Sequence, residues 1–388
     1  MKAMILAAGK GTRVRPLTYD LPKPMIPILG KPVLAYLVEH LEKNGVREIM
    51  VNVSYLHERI QQYFGDGKRF GVELGYSFEG DIKNGEIVPD AMGSAGGMRK
   101  IQDFSGFFDE TTIVMCGDAI VDLDITAALA EHRRKGAIAS LVAKNVPLDK
   151  VTEYGIVVTD PDGRIVSFQE KPSQAEARST LANTGIYIFE PEVLDLIPPN
   201  TNFDIGSELF PLLVEKGLPF YAQKQEFNWI DIGRVSDYWE VVQRVMAHPI
   251  PEMPMPGKQI REGVWTGLNV RVDWENTKIT GPVYIGSGAS IERGAEIIGP
   301  AWIGEGCHVQ RGGRVVRSIL FEYTRVGQDF TFADMIVCGD YCVDRHGQMM
   351  HVDDEACQLI WCDAREQVVY PANYDRTRRP QHVAAGNI

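Results

Sequence analysis

The chain has 388 residues, of which 44% are hydrophobic, so it is long enough for two or three domains with sizeable cores. Its 52 acidic and 40 basic residues give a formal net charge of −12, which argues against a nucleic-acid coat or a protein of anionic membrane surfaces. An apolar run of about 18 residues and a signal-peptide core are both missing. We therefore expect a cytoplasmic protein whose partners include neither nucleic acid nor membrane.

The first element is an apolar run at residues 4–6 that breaks into a glycine turn at Gly9 and Gly11. This pattern predicts a strand that delivers backbone amides to an anion, and residues without a Cβ let a nucleotide approach the main chain. The basic residues nearby that could neutralise phosphates are Lys10, Arg13, Arg15 and Lys23. The spacing fits neither the P-loop nor the Rossmann fingerprint, so we predict a triphosphate site of another kind, with an ordinary tight turn as the alternative.

Further apolar runs at 49–53, 113–115 and 138–142 are typical of strands buried on both faces. Helical periodicity follows Pro32, up to Gly45, and returns at 125–135. The alternation predicts an α/β domain with a Rossmann-like mixed, mostly parallel sheet over residues 1–247, followed by a Pro-rich linker at 248–258. The turn after Leu6 and Asp118 would then meet at the carboxyl ends of neighbouring strands.

Beyond residue 258 the periodicity changes, and from Ile279 a branched apolar residue recurs every six positions, with small residues four positions later in most repeats. The members of the first register are Ile279, Ile285, Ile291, Ile297, Ile303, Val309 and Val315. This rhythm predicts a left-handed parallel β-helix of hexapeptide repeats over 259–372, with a mobile tail at 373–388. We favour a packing and homo-oligomerisation module over an acyltransferase, because His308 and His346 have no evident partner in the sequence.

The six cysteines are sparse and predict free thiols. Four of them, Cys338, Cys342, Cys357 and Cys362, lie near the C-terminus, but their spacing lacks the two-residue gaps usual for zinc. We expect buried structural thiols there.

Two solitary aspartates follow apolar approaches, Asp118 and Asp231. Mg²⁺ takes one or two protein carboxylates and fills its octahedron with water and phosphate oxygens, so these two would suffice. Each could instead cap a helix or turn.

Other polar or glycine breaks could hold a sugar phosphate and a base. Glu170 beside Lys171 offers an acceptor and a cation, and Gly155 and Asn183 border apolar strands. The glycine-rich segment 92–97 is small and flexible enough to lie against a nucleobase. Each of these segments could equally be structural.

Together these segments resemble the sugar-1-phosphate nucleotidylyltransferases over nearly the whole chain. The motifs that carry the resemblance are Gly9-Lys10-Gly11-Thr12-Arg13, Pro16-Leu17-Thr18, Pro22-Lys23-Pro24, Gly117-Asp118, Glu170-Lys171-Pro172, Asn183-Thr184-Gly185 and Trp229-Ile230-Asp231-Ile232-Gly233. The resemblance implies attack by a sugar-1-phosphate oxygen on the α-phosphorus of a nucleoside triphosphate, with release of pyrophosphate.

The resemblance also implies a role for each matching residue. Asp118 and Asp231 would bind Mg²⁺, Arg13 and Lys23 the nucleotide phosphates, and Lys171 the sugar phosphate. Glu170, Asn183 and Gly155 would hold the sugar. The nucleotide would contact Leu6, Ala7, Ala8, Gly9, Gly11, Thr12, Gly93 and Ser94.

Further segments in both domains carry a closer resemblance: Ile26-Pro27-Ile28-Leu29, Tyr76-Ser77-Phe78-Glu79-Gly80, Gly93-Ser94-Ala95-Gly96-Gly97, Phe321-Glu322-Tyr323 and Tyr341-Cys342-Val343-Asp344. By these segments the chain looks most like the cyanobacterial-type UDP-glucose pyrophosphorylases, which implies UTP and glucose-1-phosphate as substrates. The thymidylyltransferase branch carries a glutamine where this chain has Val88, and residues 93–96 resemble the guanylyltransferase form with Ser94 for threonine. A mannose-1-phosphate guanylyltransferase is therefore one alternative. A catalytically silent, regulatory nucleotide-sugar-binding protein is another, although the retained Asp118, Asp231 and Arg13 count against it.

Overall fold

The computed structural model describes residues 1–83, 86–250, 253–339, 341–351, 360–366 and 383–384. The chain divides into two compact units. The first consists of Met1–Gly11, Asp20–Ile26 and Pro32–Asp231, and the second of Thr12–Tyr19, Pro27–Lys31 and Ile232–Ile388. The domain boundaries at 247, 258 and 372 stay predictions, and most of the predicted tail at 373–388 lies outside the described residues.

The described helices are mostly short. The α-helices are α1 (Val33–Lys43), α2 (His57–Phe64), α3 (Ser94–Ser105), α4 (Ile125–Arg134), α5 (Phe210–Glu215) and α6 (Val235–Ala247). The 3-10 helices are Thr12–Val14, Lys23–Met25, Lys68–Phe70, Leu148–Glu153 and Pro191–Leu196, and a π-helix spans Ile205–Leu209.

The strands up to residue 231 are β1 (Lys2–Ala7), β2 (Pro27–Ile28), β3 (Lys31–Pro32), β4 (Glu48–Val53), β5 (Glu73–Phe78), β6 (Gly80–Lys83), β7 (Glu86–Pro89), β8 (Thr112–Cys116), β9 (Ala119–Val121), β10 (Ala139–Asn145), β11 (Gly155–Thr159), β12 (Ile165–Glu170), β13 (Leu181–Phe189), β14 (Phe220–Lys224) and β15 (Trp229–Asp231). The predicted strands at 4–6, 49–53, 113–115 and 138–142 are confirmed as β1, β4, β8 and β10. The two predicted helices are confirmed as α1 and α4.

The first unit is built on a nine-stranded mixed sheet. Its order is β12-β11-β13-β8-β1-β4-β5, with β10 and β14 branching from β13. Strands β8, β1, β4 and β5 are parallel neighbours, whereas β13 runs antiparallel to β8, β10 and β11. The Rossmann-like part of the predicted fold is therefore this parallel half, and the carboxyl ends of β1 and β8 open on the same edge.

Strand β1 is continuously apolar because both faces of the sheet are covered. Ala3 and Ile5 pack in one core with α1, and Met4 packs in a second core with residues of α3. All three side chains are completely buried. Burial on both faces removes the polar alternation of a half-exposed strand, which is why the run stood out in the sequence.

The second unit contains the strands of the repeat region. They are β16 (Lys258–Arg261), β17 (Val264–Thr266), β18 (Arg271–Val272), β19 (Lys278–Thr280), β20 (Val283–Ile285), β21 (Ser290–Ile291), β22 (Glu296–Ile298), β23 (Ala301–Ile303), β24 (His308–Val309), β25 (Arg314–Val316), β26 (Ile319–Leu320), β27 (Thr324–Val326), β28 (Thr331–Ala333), β29 (Met335–Val337), β30 (Tyr341–Asp344), β31 (Met349–His351), β32 (Trp361–Asp363) and β33 (Val383–Ala384). Three sheets take every third strand from β17 to β29, in parallel. This arrangement is the predicted parallel β-helix, and its left-handed sense stays a prediction.

The hexapeptide register becomes an 18-residue coil. Ile279 lies beside Ile297, and Ile297 beside Val315, but Val315 lies beside Phe332, so the later coil is one residue shorter. The shortening lies at a corner where the two residues Gly299 and Pro300 are matched by a single Arg317, whose φ is 43°. This explains why the apolar rhythm shifts after Val315.

The last coil is covered by strands that do not belong to the repeat. Strand β32 pairs antiparallel with β27, β30 pairs antiparallel with β29, and β33 pairs with β28. Trp361 of β32 is 3% exposed and its ring lies 5.8 Å from the ring of Phe332.

Among the described helices, none is long and apolar enough to cross a membrane.

A buried histidine in the first unit predicts how stability depends on pH. His132 is 1% exposed, with Nδ1 2.8 Å from Ser140 Oγ and Nε2 3.0 Å from Glu190 Oε1. Burial lowers the pKa of His132, and the Glu190 carboxylate only partly opposes this. The unfolded chain therefore binds more protons below the ordinary histidine pKa of about 6.5, and we expect the free energy of unfolding to fall as pH drops from 7.5 through 6.5.

Urea unfolding at pH 7.5, 6.5 and 5.5 measures this effect. His132→Gln should flatten the pH dependence, whereas the same substitution at the exposed His248 should leave it unchanged. Equal pH slopes in wild type and His132→Gln would contradict the assignment.

Candidate active site

The glycine turn follows directly from the end of β1. The Ala7 amide, at the last residue of β1, donates to Asn52 Oδ1 at 2.7 Å. A Cβ at Gly9 would meet no atom within 4 Å, and Gly11 has φ 62°. The main chain beyond Ala8 is therefore accessible, as a backbone anion site requires.

Thr12 and Arg13 belong to the second unit. Both are exposed at the start of the 3-10 helix Thr12–Val14. Their predicted contacts with nucleotide phosphates stay predictions.

Asp118 and Lys23 form an ion pair at the carboxyl edge of the sheet. Asp118 Oδ2 accepts from Lys23 Nζ, and the two side chains are 29% and 11% exposed. The Gly117 amide donates to the Leu6 carbonyl at 2.9 Å, and a Cβ at Gly117 would lie only 3.0 Å from that oxygen. Gly117 thus lets the chain that carries Asp118 pass against the end of β1.

Asp231 is brought to the same place by a two-stranded pairing. Strands β15 and β9 are antiparallel, with Asp231 opposite Ala119, the residue after Asp118. Burial, with the nearby Asp118 and Asp231 carboxylates, raises the pKa of the Cys116 thiol that ends β8. Asp118 and Asp231, remote in sequence, therefore act on one small region.

The donor set fits Mg²⁺ and does not fit a fully protein-caged metal. Asp118 and Asp231 supply two hard carboxylates on partly exposed residues. Among the described residues, no group of three or more His, Cys, Asp or Glu could hold a metal ion. A cation here would need further ligands from water or substrate phosphates, which is how Mg²⁺ is usually bound.

Asn183 lies beside this region through a bulge in β13. The β10–β13 register shifts between Val142 and Ala143, and a Cβ at Gly185, whose φ is 74°, would lie 2.6 Å from Cys116 Sγ. Asn183 Nδ2 donates to the Tyr187 hydroxyl at 3.1 Å, and Asn183 Oδ1 accepts from the Gly185 amide at 2.9 Å. These contacts fix the orientation of the Asn183 amide.

Gly155, Glu170 and Lys171 form a second polar group. Gly155 and Glu170 are paired residues of β11 and β12, and Lys171 follows with a φ of 44°. Lys171 Nζ lies 3.3 Å from Glu170 Oε1, and both side chains are about half exposed, at 51% and 52%. A left-handed backbone at a lysine is strained, a feature that concentrates at functional positions.

Aromatic contact links this group to the aspartates. The Tyr154 carbonyl accepts from the Lys171 amide at 3.2 Å, and the Tyr154 ring lies 4.9 Å from the ring of Trp229. Trp229 and Asp231 are alternate residues of β15 and point to the same side of that strand. The predicted sugar and metal residues are thus connected by one run of contacts.

The glycine-rich segment at 92–97 is a helix start, which corrects the expectation of a flexible segment. Helix α3 begins at Ser94, and the Ala95 and Gly96 amides donate to the Phe203 carbonyl at 2.9 and 2.8 Å. A Cβ at Gly93 would lie 2.5 Å from that carbonyl oxygen. These glycines are needed for close approach to the 201–205 segment.

Ser94 is already engaged by that segment. Its hydroxyl donates to Asp204 Oδ2 at 2.8 Å and accepts from the Ile205 amide at 2.8 Å. Burial opposes ionisation of Asp204, but hydrogen bonds from Ser207 and Ser94 outweigh it and lower the pKa of Asp204. The nucleotide roles of Gly93 and Ser94 stay predictions.

Sequence reasoning missed the residues that hold these segments in place, namely Asn52, Glu79, Tyr154 as an aromatic contact, and Asp204. Asn52 was detectable as a polar residue inside an apolar strand, and Asp204 as an N-cap residue, a position where aspartate is preferred. Glu79 lies in a segment that carried the family resemblance, but its role had no local signal because its partners lie 13 and 27 residues away.

In the repeat region, His308 does have a partner, contrary to the sequence expectation. His308 Nε2 lies 2.8 Å from Glu292 Oε1, and Glu292 Oε2 also accepts from the Arg311 amide at 2.9 Å. His346 Nε2 lies 3.2 Å from Arg345 Nε.

The described cysteines, Cys116, Cys307, Cys338, Cys342 and Cys362, form no disulfide with one another, in agreement with the prediction. Cys357 lies outside the described residues.

The mixed sheet, with Asp118 and Lys23 paired at its carboxyl edge, is the setting for the comparison with known proteins, which identifies a nucleotide-transferring enzyme. The nucleotidyl transferase family matches residues 2–248, more than half of the chain. The chain belongs to the nucleotidyl transferase family.

Individual relatives narrow the comparison. The chain is 53% identical over 379 residues to the UTP–glucose-1-phosphate uridylyltransferase of Synechocystis sp., covering 97% of this chain and 98% of that protein. It is 33% identical over 240 residues to mannose-1-phosphate guanyltransferase beta-B of Xenopus laevis, covering 61% and 62% of the two chains. A crystal structure of a Bacillus anthracis protein described as a glucose-1-phosphate thymidylyltransferase covers 64% of this chain and 96% of its own, with a TM-score of 0.55 and 23% identity, a likeness of fold alone.

Proposed function

We propose that the chain is a UTP–glucose-1-phosphate uridylyltransferase, which joins UTP and glucose-1-phosphate into UDP-glucose and releases pyrophosphate. The observation that carries the proposal is the 53% identity to the Synechocystis uridylyltransferase over 97% of this chain. Identity over both units includes the repeat region, whereas the guanyltransferase match covers 61% of the chain.

The reaction needs no side-chain base. The nucleophile is a sugar phosphate oxygen that is already ionised at neutral pH, and the leaving group is pyrophosphate. The difficulty is bringing two anions together, so positioning and charge neutralisation carry most of the catalysis. This explains how Asp118, Lys23 and Lys171 can form an active site without a histidine cluster.

Each charged side chain then has one task. Lys23, positioned by its ion pair with Asp118, binds nucleotide phosphates together with Arg13. Lys171 binds the sugar phosphate, and Glu170, Gly155 and Asn183 hold the sugar hydroxyls. The main chain from Leu6 to Thr12, together with Gly93 and Ser94, contacts the nucleotide.

The cofactor in this proposal is Mg²⁺, held by Asp118 and Asp231. When bound, Mg²⁺ would neutralise phosphate charge that develops during the transfer. Asp118 would then offset part of the positive charge of both the cation and Lys23.

A substrate grid tests the proposal. Pyrophosphate release is measured with Mg²⁺ for UTP, GTP, dTTP, ATP and CTP against glucose-1-phosphate and mannose-1-phosphate. We expect the UTP and glucose-1-phosphate pair to exceed every other pair by at least about tenfold in kcat/KM. A maximum at GTP and mannose-1-phosphate would replace the proposal with a guanylyltransferase, and no release from any pair would favour a silent, regulatory homologue.

The proposal includes a cytoplasmic enzyme whose copies associate through the β-helix. Light scattering of the purified chain measures its mass in solution. A monomer at micromolar concentration would contradict the association.

A further inference from the structure

A buried chain of hydrogen bonds joins the end of β1 to Met92, in the glycine-rich segment at 92–97 where α3 begins. The Ala7 amide donates to Asn52 Oδ1 at 2.7 Å, and Asn52 Nδ2 donates to Glu79 Oε1 at 2.6 Å. The other Glu79 oxygen, Oε2, accepts from the Met92 amide at 3.1 Å. Two side chains therefore bridge two backbone amides that are 85 residues apart in sequence.

The bridge is built for a carboxylate. Glu79 is 1% exposed and Asn52 is 3% exposed, so neither can exchange its partner for bulk water. Both Glu79 oxygens face donors, and a carboxylate can accept from both, whereas a side-chain amide can accept at only one of its two ends. A Cβ at Gly97 would collide with Glu79 Oε1, so the helix passes the carboxylate only because that residue is glycine.

The backbone of Glu79 is fixed as firmly as its side chain. The Glu79 amide donates to the Val53 carbonyl at 2.7 Å, and the Ser54 hydroxyl donates to the Glu79 carbonyl at 2.6 Å. The position of the carboxylate is therefore fixed, and it restrains the two segments that it links, the end of β1 and the glycine-rich segment at 92–97.

We propose that Asn52 and Glu79 are positioning residues that set the separation between the glycine turn after β1 and the glycine-rich segment at 92–97. This inference rests on the proposed function, because those two segments are the ones assigned to the nucleotide. The bridge then governs affinity for the nucleoside triphosphate and discrimination between bases. The residues assigned to the sugar, Gly155, Glu170 and Lys171, take no part in it.

The test uses Glu79→Gln, which keeps the size of the side chain and turns one of its two acceptors into a donor. We expect the KM for the nucleoside triphosphate to rise about tenfold, the KM for glucose-1-phosphate to stay within twofold, and the preference for UTP over GTP to narrow. A purely structural residue would lower stability or kcat without such a split.

The matched control is Glu190→Gln. Glu190 is also a carboxylate of the first unit that accepts side-chain hydrogen bonds, from Thr111 at 2.9 Å, and it lies outside the predicted site. It should leave both KM values and the base preference unchanged. Asn52→Ser, which breaks the bridge from its other end, should reproduce the Glu79→Gln split.

Equal changes in both KM values, or an unchanged KM for the triphosphate in folded Glu79→Gln, would overturn the proposal. The proposal would also be overturned if neither Glu79→Gln nor Asn52→Ser folds while Glu190→Gln does, because the bridge would then serve stability alone. The measurement uses whichever triphosphate and sugar phosphate the wild type prefers, so failure of the uridylyltransferase assignment is seen in the wild type and failure of the bridge in the variants. If the wild type releases no pyrophosphate, calorimetric UTP binding by the same three variants decides between the same outcomes.

Discussion

Replacing Asp118 by asparagine is expected to lower kcat/KM by about 10³-fold, or about 4 kcal/mol of transition-state stabilisation. The substitution keeps the shape of the side chain but removes a carboxylate that pairs with Lys23 and is assigned to Mg²⁺. The Lys23 ammonium, 11% exposed, would keep its charge without the anion that orients it. Steady-state pyrophosphate release at several Mg²⁺ concentrations measures the loss.

Asp122→Asn is the control for this change. Asp122 follows the adjacent strand β9 and accepts from the Asn228 side chain at 2.6 Å, so it is an aspartate of the same neighbourhood with a structural partner. We expect its kcat/KM to stay within about threefold of wild type. Activity of Asp118→Asn within tenfold of wild type, in a protein that melts normally, would remove Asp118 from the metal site.

Replacing Lys171 by alanine is expected to raise the KM for glucose-1-phosphate by about 30-fold, with the KM for UTP nearly unchanged. The Lys171 ammonium is half exposed and lies 3.3 Å from Glu170, an arrangement that contributes little to stability and leaves the charge available. A charge-assisted hydrogen bond to a phosphate is worth about 2 kcal/mol, which gives that factor.

Arg13→Ala provides the opposite profile, since Arg13 is assigned to the triphosphate. It should raise the KM for UTP and spare that for glucose-1-phosphate. Lys150→Ala is the charge control, because Lys150 is 52% exposed and its Nζ lies 3.1 Å from Glu153 Oε1. Identical defects in Lys171→Ala and Arg13→Ala would refute the division of the two phosphates between them.

The elements that could be predicted are those whose reason is local. Strand β1 could be predicted because burial of both its faces makes its sequence continuously apolar. The β-helix could be predicted because each coil stacks residues that are 18 positions apart, which repeats the apolar pattern. His308 and Glu292 are 16 residues apart, nearly one coil, so their contact follows from the same period. The apolar pattern did not indicate it because both residues are polar.

The site residues also divide into those that lie in a local motif and those whose role depends on a remote part of the chain. Asp118 and Lys23 were found because each lies in a short distinctive motif, and their meeting follows from the parallel strands β1 and β8. Gly93 and Gly96 are required by the close approach of the backbone at 201–203, about a hundred residues later, and no local pattern encodes that approach. The role of Glu79 depends on Asn52 and Met92, which are also remote from it in the sequence, so no local pattern indicates that role.

The strands that close the last coil bear on how copies of this chain can meet. An open parallel coil offers unpaired backbone groups, and a second solenoid could continue the stack from them and build a fibre. In the described residues each of the three sheets instead continues into strands outside the repeat: β30 and then β31 after β29, β32 after β27, and β33 after β28. Strands β30 and β32 run antiparallel to the coil, whereas β33 runs parallel to it. The described end of the solenoid therefore does not present a full parallel coil, and a second copy stacked there would have to pair with strands outside the repeat.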